Sequence, residues 1–432
     1  MVKPQKTISK ASHFWFPMSV VAGLFFILGF TTWLNGSLMP YLKQVIQLSA
    51  FEATLIIFSF YIAVTFSAIP SALLIGKIGY KKGMSAGLAI MALGAILFVP
   101  AARMQLFSLF LIAQLIMGMG QTLLQTAVNP YVIQLGDEKS AAVRVSIMGI
   151  LSKSAGILAP IVFTALILSE FKDTTHITLT PLDISNMIEH LITPYLSMAF
   201  ILLILACIMF ILPLPTIQKE TPKANMDWHS IIECLRYPHL RLGVLAIFLY
   251  VGVEVIAADT VGTFALSLHL PNYSVMTAYT MAFMVLGYLC GIASIPRLLS
   301  QEQALTLSAV LGVILSIGII VSSPESYWVD THIAHIGDFP ALPDTLYLIA
   351  LLGFANAIVW PAVWPLALSG LGNLTSTASG LLVMGIAGGA ILPVLWGYLS
   401  ETSLGMQNAY VILIPCYLYI VFYAIKGYHL KK

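Results

Sequence analysis

The chain has few charged residues. Asp, Glu, Lys and Arg make up 9% of its 432 residues, whereas hydrophobic residues make up 59%. A soluble globular domain carries about 25% charged residues, so this composition excludes an ordinary soluble protein. The formal net charge of +2 is too small to indicate a nucleic-acid-binding protein, and we expect no nucleic-acid partner.

Motifs that carry enzymatic chemistry are also missing. The chain has no G-x-x-x-x-G-K-[ST] sequence for holding ATP phosphates and no H-E-x-x-H zinc motif. Its four cysteines, Cys207, Cys234, Cys290 and Cys416, have no paired spacing, so neither a disulfide nor a metal site is predicted. We therefore expect a protein that is not an enzyme and holds no resident cofactor.

Long hydrophobic runs fill the chain instead. Each has about 20 residues or more, which is enough to cross roughly 30 Å of hydrocarbon as a helix. The runs lie at 14–42, 51–76, 84–102, 105–135, 142–168, 191–213, 240–268, 273–296, 303–322, 344–371, 376–400 and 405–426. The first ends at "LNGSLMPYLK", which does not resemble the cleavage site of a signal peptide. The sequence thus predicts an all-α membrane protein with twelve transmembrane helices.

Lys and Arg are distributed unevenly between the predicted loops. If the amino terminus is cytoplasmic, sixteen of them fall on the cytoplasmic side and three, Lys43, Arg103 and Lys172, on the other. Because cytoplasmic loops carry the excess of positive charge, we expect both termini to be cytoplasmic. The predicted external loops, 169–190 and 323–343, are acidic instead.

The predicted helices fall into two sets of six. Residues 14–213 form the first set, a polar cytoplasmic linker covers 214–239, and residues 240–426 form the second set. Three pairs of residues in the fourth and tenth helices share an offset of 235: Gln121 and Asn356, Gln125 and Trp360, Pro130 and Pro365. Parallel repeats of six helices, related by an axis along the membrane normal, are typical of the major facilitator fold. We therefore predict two six-helix bundles in a pseudo-twofold parallel repeat.

The fourth predicted helix carries a row of amides at Gln121, Gln125 and Asn129. Residues four apart lie on one face of a helix, and an unsatisfied amide in hydrocarbon costs several kcal/mol. The row must therefore face other helices or water. It can hold helices together, or it can bind the hydroxyl groups of a sugar, because each amide offers both donors and acceptors.

Three ionisable residues lie inside predicted membrane helices, where a charge costs at least about 2.5–3.5 kcal/mol. Lys153 is in the fifth helix, and Glu254 and Asp259 are in the seventh. Lys153 and Glu254 can form a structural ion pair, or Glu254 can titrate or ligate a cation during transport. Asp259, nearer the outer end, can also lie in a solvated mouth.

Several of these segments resemble one family of transporters. The segments are "FFILGFTTWLNGSLMPYLK" in the first helix, "GYKKG" after the second, "LLQTAVNPYV" in the fourth, "YVGVEV" in the seventh and "WPAVWPLALSGLG" in the tenth. They resemble the fucose / glucose–galactose permease family of the major facilitator superfamily, over nearly the whole chain. The resemblance implies cation-coupled uptake of a neutral monosaccharide across a bacterial inner membrane.

Departures from the family pattern bear on the coupling ion. The resemblance to proton-coupled fucose members implies acids where this chain has Gly36 and Gln125. At Gln125 and at "TWLNG" the chain is more similar to glucose–galactose and N-acetylglucosamine permeases. Glu254 is then the main candidate for coupling, and H⁺ coupling, Na⁺ coupling and uncoupled facilitation stay open.

Together these observations predict a transporter that binds one monosaccharide between its two bundles and alternately exposes it to each side. We expect Asn35, Gln121, Gln125 and Asn129 to bind the sugar from the first half, and Asn356 and Trp360 from the second. Trp360 is a candidate stacking platform for the sugar ring. We expect the protein to be a monomer in the lipid bilayer. An exporter of drugs or metabolites on the same fold, and a membrane sensor for sugar, are the alternatives.

Overall fold

Twelve long apolar helices make up most of the described chain. A computed structural model describes residues 11–135, 141–168, 181–214, 228–295, 297–334 and 341–430, and it contains no strand within those ranges. The twelve helices in chain order are α1 (Trp15–Val45), α2 (Ala50–Ile78), α3 (Tyr80–Met104), α4 (Phe107–Val132), α5 (Ile147–Ile167), α6 (Ser185–Ile211), α7 (Pro238–Ser267), α8 (Tyr273–Ser294), α9 (Gln301–Val321), α10 (Asp344–Leu368), α11 (Thr377–Ser400) and α12 (Gly405–Ile425). The prediction of an all-α protein with twelve membrane-spanning helices is confirmed, and its bounds are correct to within a few residues.

Local sequence explains where several helices begin. Ser49 caps α2: its hydroxyl accepts a hydrogen bond from the Glu52 amide at 3.1 Å, and the Glu52 carboxylate accepts one from the Ser49 amide at 2.8 Å. Ser300 and Gln303 form the same capping box at α9. Between α2 and α3, Gly79 in the "GYKKG" segment has φ of 85°, a conformation that glycine adopts at little cost.

Among the described residues, four helices are interrupted well away from their ends, where they lie inside the protein. A turn at Leu34 divides α1, and a turn at 357–358 divides α10. A π-helical segment, Ile256–Thr260, interrupts α7, and a 3₁₀ segment, Gly385–Ala387, interrupts α11. Irregular backbone at membrane depth is tolerated only where it is buried in protein or lines a cavity. The four interruptions therefore mark the interior where a site can form.

Helix packing repeats from one half of the chain to the other. In the first half, α2 and α4 approach each other at Gly118, where a Cβ would collide with the Phe60 carbonyl oxygen. In the second half, α8 and α10 approach at Gly353, where a Cβ would collide with the Thr280 carbonyl oxygen. Gly118 and Gly353 are 235 residues apart, which is the offset found in the sequence. The chain folds as two six-helix bundles in parallel repeat.

The exact boundaries of the two halves stay a prediction. Most of the predicted linker, 215–227, lies outside the described residues, and a short helix, Trp228–Cys234, follows it. Parts of the two acidic loops, 169–180 and 335–340, are also outside the described residues.

The outward faces of the bundles are apolar. Phe66 is 76% exposed, and Ile211 and Val321 are each 78% exposed. Large apolar side chains exposed in such number are typical of a surface that contacts lipid. The protein is a multi-pass membrane protein.

The two halves are hydrogen-bonded to each other at one end of the molecule. The Thr164 and Ser274 hydroxyls are 2.7 Å apart, and the Ser37 hydroxyl donates to the Ser274 carbonyl oxygen at 2.5 Å. The Tyr273 hydroxyl donates to the Gln44 side chain at 2.9 Å. We call this region the closed end. It lies opposite the loops that carry most of the Lys and Arg residues, which we call the basic end.

Candidate functional site

Gln121 is used to join α4 to α1. Its Oε1 accepts a hydrogen bond from the Thr31 hydroxyl at 3.1 Å, and its Nε2 donates to the Thr32 hydroxyl at 2.5 Å. The side chain is 5% exposed. Donor and acceptor groups of this amide are thus both occupied within the first half, as expected of an amide that holds helices together.

Asn35 lies just after the break in α1 and is also buried. Its Oδ1 accepts a hydrogen bond at 2.8 Å from Nε2 of Gln114 on α4. Asn35 Nδ2 and Gln114 Oε1 are buried and have no hydrogen-bond partner among the described residues. The sequence analysis missed Gln114, although it lies seven residues before Gln121, on the same face of α4. This pair keeps one donor and one acceptor that a polar ligand could satisfy.

The other two amides of α4 are open. Gln125 is half-buried and Asn129 is exposed toward the basic end. In the described part of the chain, neither side chain has a hydrogen-bond partner. The row of amides therefore divides into Gln121, which binds α1, and Gln125 with Asn129, which leave their donors and acceptors accessible.

The second half contributes an amide and an aromatic wall. Asn356, at the break in α10, is buried and its Oδ1 accepts a hydrogen bond from the Tyr417 hydroxyl at 2.9 Å. Just beyond the break, the rings of Trp360 and Trp364 stack with centroids 5.0 Å apart and planes at 26°. The Tyr250 ring of α7 lies 6.2 Å from Trp360. Trp360 and Trp364 thus form a half-buried aromatic surface in the second half, and the fully buried Tyr250 ring lies next to it.

An ion pair joins the two halves at the centre of the molecule. Lys153 Nζ of α5 lies 2.5 Å from Oε1 of Glu254 on α7. The same ammonium lies 4.4 Å above the ring of Trp33 on α1, a favourable cation–π arrangement. The Tyr250 hydroxyl interacts electrostatically with the Glu254 carboxylate. The predicted pairing of Lys153 with Glu254 is present in the structure, and Trp33 and Tyr250 were not predicted.

Asp259 is fully buried. Its exposed fraction is 0%, and neither Oδ1 nor Oδ2 has a hydrogen-bond partner among the described residues. The interpretation of Asp259 as a residue in a solvated mouth is therefore wrong. It is wrong because position along the helix does not reveal that α1 and α8 cover this part of α7.

The π-helical segment of α7 changes the direction of the Asp259 side chain. An α-helix has 3.6 residues per turn, so five residues would place Asp259 about 140° around the axis from Glu254. The wider π turn, with its i→i+5 hydrogen bonds, reduces this angle. Asp259 consequently interacts electrostatically with Glu254 and Lys153, and also with Tyr61 of α2. The π segment brings both acids of α7 into one cluster.

Neighbouring helices hold the π segment in place. The Ala257 and Ala258 carbonyl oxygens accept hydrogen bonds from the Thr280 and Thr277 hydroxyls of α8, at 3.2 and 2.6 Å. Gly36 of α1 lies against it, where a Cβ would be 3.1 Å from Asp259 Oδ1 and would collide with the Thr277 hydroxyl. The acid-bearing part of α7 is therefore in direct contact with the first half.

Two six-helix bundles with a polar, aromatic and charged centre define a membrane transporter. The Major Facilitator Superfamily profile matches residues 21–393, and the chain belongs to that superfamily. It is 33% identical over 433 residues to a glucose/galactose transporter of Brucella abortus, covering 97% of this chain and 96% of that protein. It is 27% identical to the L-fucose-proton symporter of Escherichia coli K12, covering 97% and 94%.

A solved structure shows the same fold. A crystal structure of the Escherichia coli fucose:proton symporter superposes with a TM-score of 0.68 at 26% identity, covering 95% of this chain and 98% of that one. The family resemblance seen in the sequence is thereby confirmed. These relatives are transporters, in agreement with the interpretation of this chain as a transporter and not an enzyme.

Proposed function

We propose that this protein takes up a neutral monosaccharide across a bacterial inner membrane by cation-coupled alternating access. The observation that carries the proposal is its similarity, from end to end, to a glucose/galactose transporter of Brucella abortus. A centre with open amides and an aromatic wall supports the same substrate class, because a sugar offers hydroxyl groups and an apolar ring face.

Six residues form the proposed sugar site. Gln125 and Asn129 bind hydroxyl groups directly, since their amides are accessible and have no hydrogen-bond partner among the described residues. Trp360 provides the surface on which the sugar ring stacks, supported by Trp364. Asn35 and Asn356 complete the site, each through the part of its amide that the protein leaves available, and Gln121 forms part of its wall by holding α4 against α1.

Membrane orientation follows from the distribution of basic residues. The basic end faces the cytoplasm, and both termini lie on that side. The two halves, 14–213 and 240–426, enclose a single site, so the protein functions as a monomer. Coupling takes place in the central part of α7, which carries Glu254 and Asp259 and contacts Lys153 of the first half.

Competition for uptake into proteoliposomes tests this function. Labelled glucose, galactose and N-acetylglucosamine are tried as substrates, and free hexoses and hexose phosphates as competitors. We expect free neutral sugars to compete and phosphates not to, because Lys153 at the centre is already paired with Glu254. Strong competition by a hexose phosphate, with none by free sugars, would contradict the proposal.

A further inference from the structure

We propose that the coupling cation binds at Asp259, and that Glu254 and Lys153 remain a permanent ion pair during transport. The inference rests on the proposed function and specifies which acid of the central cluster takes up the ion. It reverses the order expected from sequence, in which Glu254 was the main candidate.

The Glu254 carboxylate already has a cation. Lys153 Nζ is 2.5 Å from its Oε1, and the Tyr250 hydroxyl also interacts electrostatically with this carboxylate. Trp33 holds the Lys153 ammonium from its other side at 4.4 Å. A second cation at Glu254 would have to displace Lys153, whose charge would then be left unpaired inside the membrane. Glu254 is therefore poorly suited to bind and release an ion in every cycle.

Asp259 has the opposite surroundings. It is fully buried, and both carboxylate oxygens are unpartnered within the described chain. An ionised carboxylate without a partner is strongly disfavoured in a protein interior, so Asp259 is stable in this closed state when it carries a proton or binds a metal cation. The charged and titratable groups that interact with it electrostatically are Glu254 and Lys153, which neutralise each other, and the Tyr61 phenol.

A second buried oxygen without a partner among the described residues lies about one helical turn after Asp259 in the chain. Thr263 lies four residues after Asp259, is fully buried, and its hydroxyl has no partner among the described residues. The carbonyl oxygens of Ala257 and Ala258 already accept hydrogen bonds from α8. Either H⁺ or Na⁺ can neutralise the single buried carboxylate of Asp259, so this site can take either ion.

The position of Asp259 connects the ion to the conformational cycle. Asp259 Oδ1 lies next to Gly36 of α1, and the hydrogen bonds of the closed end lie just beyond this contact. When the closed end opens, α1 separates from α7 and Asp259 becomes accessible from that side. A cation can then enter and neutralise the carboxylate, which allows the two halves to close again. Closure with an empty, charged Asp259 is disfavoured, and this couples the ion to transport.

Proteoliposome transport separates the two acids. Asp259→Asn is compared with the charge-balanced double variant Lys153→Met/Glu254→Gln, with inward H⁺ and Na⁺ gradients imposed separately. We expect Asp259→Asn to lose accumulation above equilibrium under the gradient that drives the wild type, while sugar counterflow persists. The double variant keeps a cation-driven accumulation. The gradient that drives the wild type identifies the ion.

Three results would overturn the inference. Asp259→Asn could concentrate sugar as the wild type does, the double variant could be the one that loses coupling, or the wild type could respond to neither gradient while exchanging sugar. In the last case the sugar transport proposed above would stand without coupling. Failure of the wild type to exchange any sugar would instead contradict the proposed function.

A stability measurement covers the case in which a variant transports poorly. A cation that binds the folded protein raises its melting temperature, so the wild type in detergent should be stabilised by the coupling ion. We expect the double variant to retain this dependence on Na⁺ or pH and Asp259→Asn to lose it. If Asp259→Asn cannot be purified, the double variant alone tests the inference. A melting temperature of the folded double variant that no longer depends on the cation would contradict the inference.

Discussion

The amides of α4 look alike in the sequence, yet their hydrogen bonds differ. Gln121 exchanges two hydrogen bonds with Thr31 and Thr32 of α1, whereas Gln125 has no partner within the described residues. One amide can therefore serve stability and the other can serve binding. Hydropathy and spacing cannot make this distinction, because it depends on which side chains of α1 lie opposite each amide.

Substitution of these two residues should separate the roles. Gln125→Ala removes a donor and an acceptor from the sugar site, and we expect sugar affinity to fall by about 1–3 kcal/mol, or about 5- to 150-fold. The melting temperature should change little. Equilibrium binding of labelled sugar to purified protein measures the effect.

Gln121→Ala is the matched control on the same helix face. Loss of the Gln121 amide leaves the Thr31 and Thr32 hydroxyls without their partner on α4, so we expect the melting temperature to fall. We expect sugar affinity to fall less than it does in Gln125→Ala. If Gln125→Ala lowers stability and leaves affinity unchanged, the whole row holds helices together and the sugar site lies elsewhere.

At the scale of helices, the break in α1 and the π segment of α7 form one contact. Gly36 is required there because α7 and α8 fill the space that a side chain would occupy. We expect Gly36→Ala to destabilise the protein by about 1–3 kcal/mol through overpacking and to reduce transport. Thermal unfolding and proteoliposome uptake measure the two effects.

Gly23→Ala, also on α1, is the control, because no atom lies within 4 Å of an added Cβ there. It should have nearly wild-type stability and uptake. Adding Thr277→Ala to Gly36→Ala removes the hydroxyl that the new Cβ would meet. The double variant should regain part of the stability and uptake that Gly36→Ala loses. An unaffected Gly36→Ala variant would show that α1 and α7 do not approach as closely as described.

The sequence predicts where the helices lie better than it predicts which side chains of each helix face the interior. Twelve helices could be predicted because each needs about 20 apolar residues to cross the bilayer, and the repeat offset of Gln121 and Asn356 predicted their arrangement. The π segment at Ile256–Thr260 has no such signal, since its residues also suit an α-helix. Because the π segment could not be predicted, neither the direction of the Asp259 side chain nor its complete burial could be predicted.

For the whole molecule, the interactions between halves indicate which state is described. Hydrogen bonds join the halves at the closed end, while Asn129, toward the basic end, is exposed. In the orientation proposed above, with the basic end in the cytoplasm, this arrangement would correspond to a transporter that is closed to the outside. Rocking of the bundles must break the closed-end contacts between α5 and α8 in each cycle, if the proposed mechanism is correct.

A disulfide across the closed end should therefore stop transport. The Thr164 and Ser274 hydroxyls belong to opposite halves and are 2.7 Å apart, so cysteines at these positions would place their sulfur atoms near the S–S bonding distance of about 2.05 Å. We expect the Thr164→Cys/Ser274→Cys variant to lose sugar uptake when oxidised and to regain it when reduced. The wild type, with its four native cysteines, and each single variant receive the same oxidant as controls. Sugar binding from the cytoplasmic side should survive oxidation, because only the outer closure is fixed. Uptake that continues after complete crosslinking, measured by mobility of the oxidised protein, would show that the closed end does not open during transport.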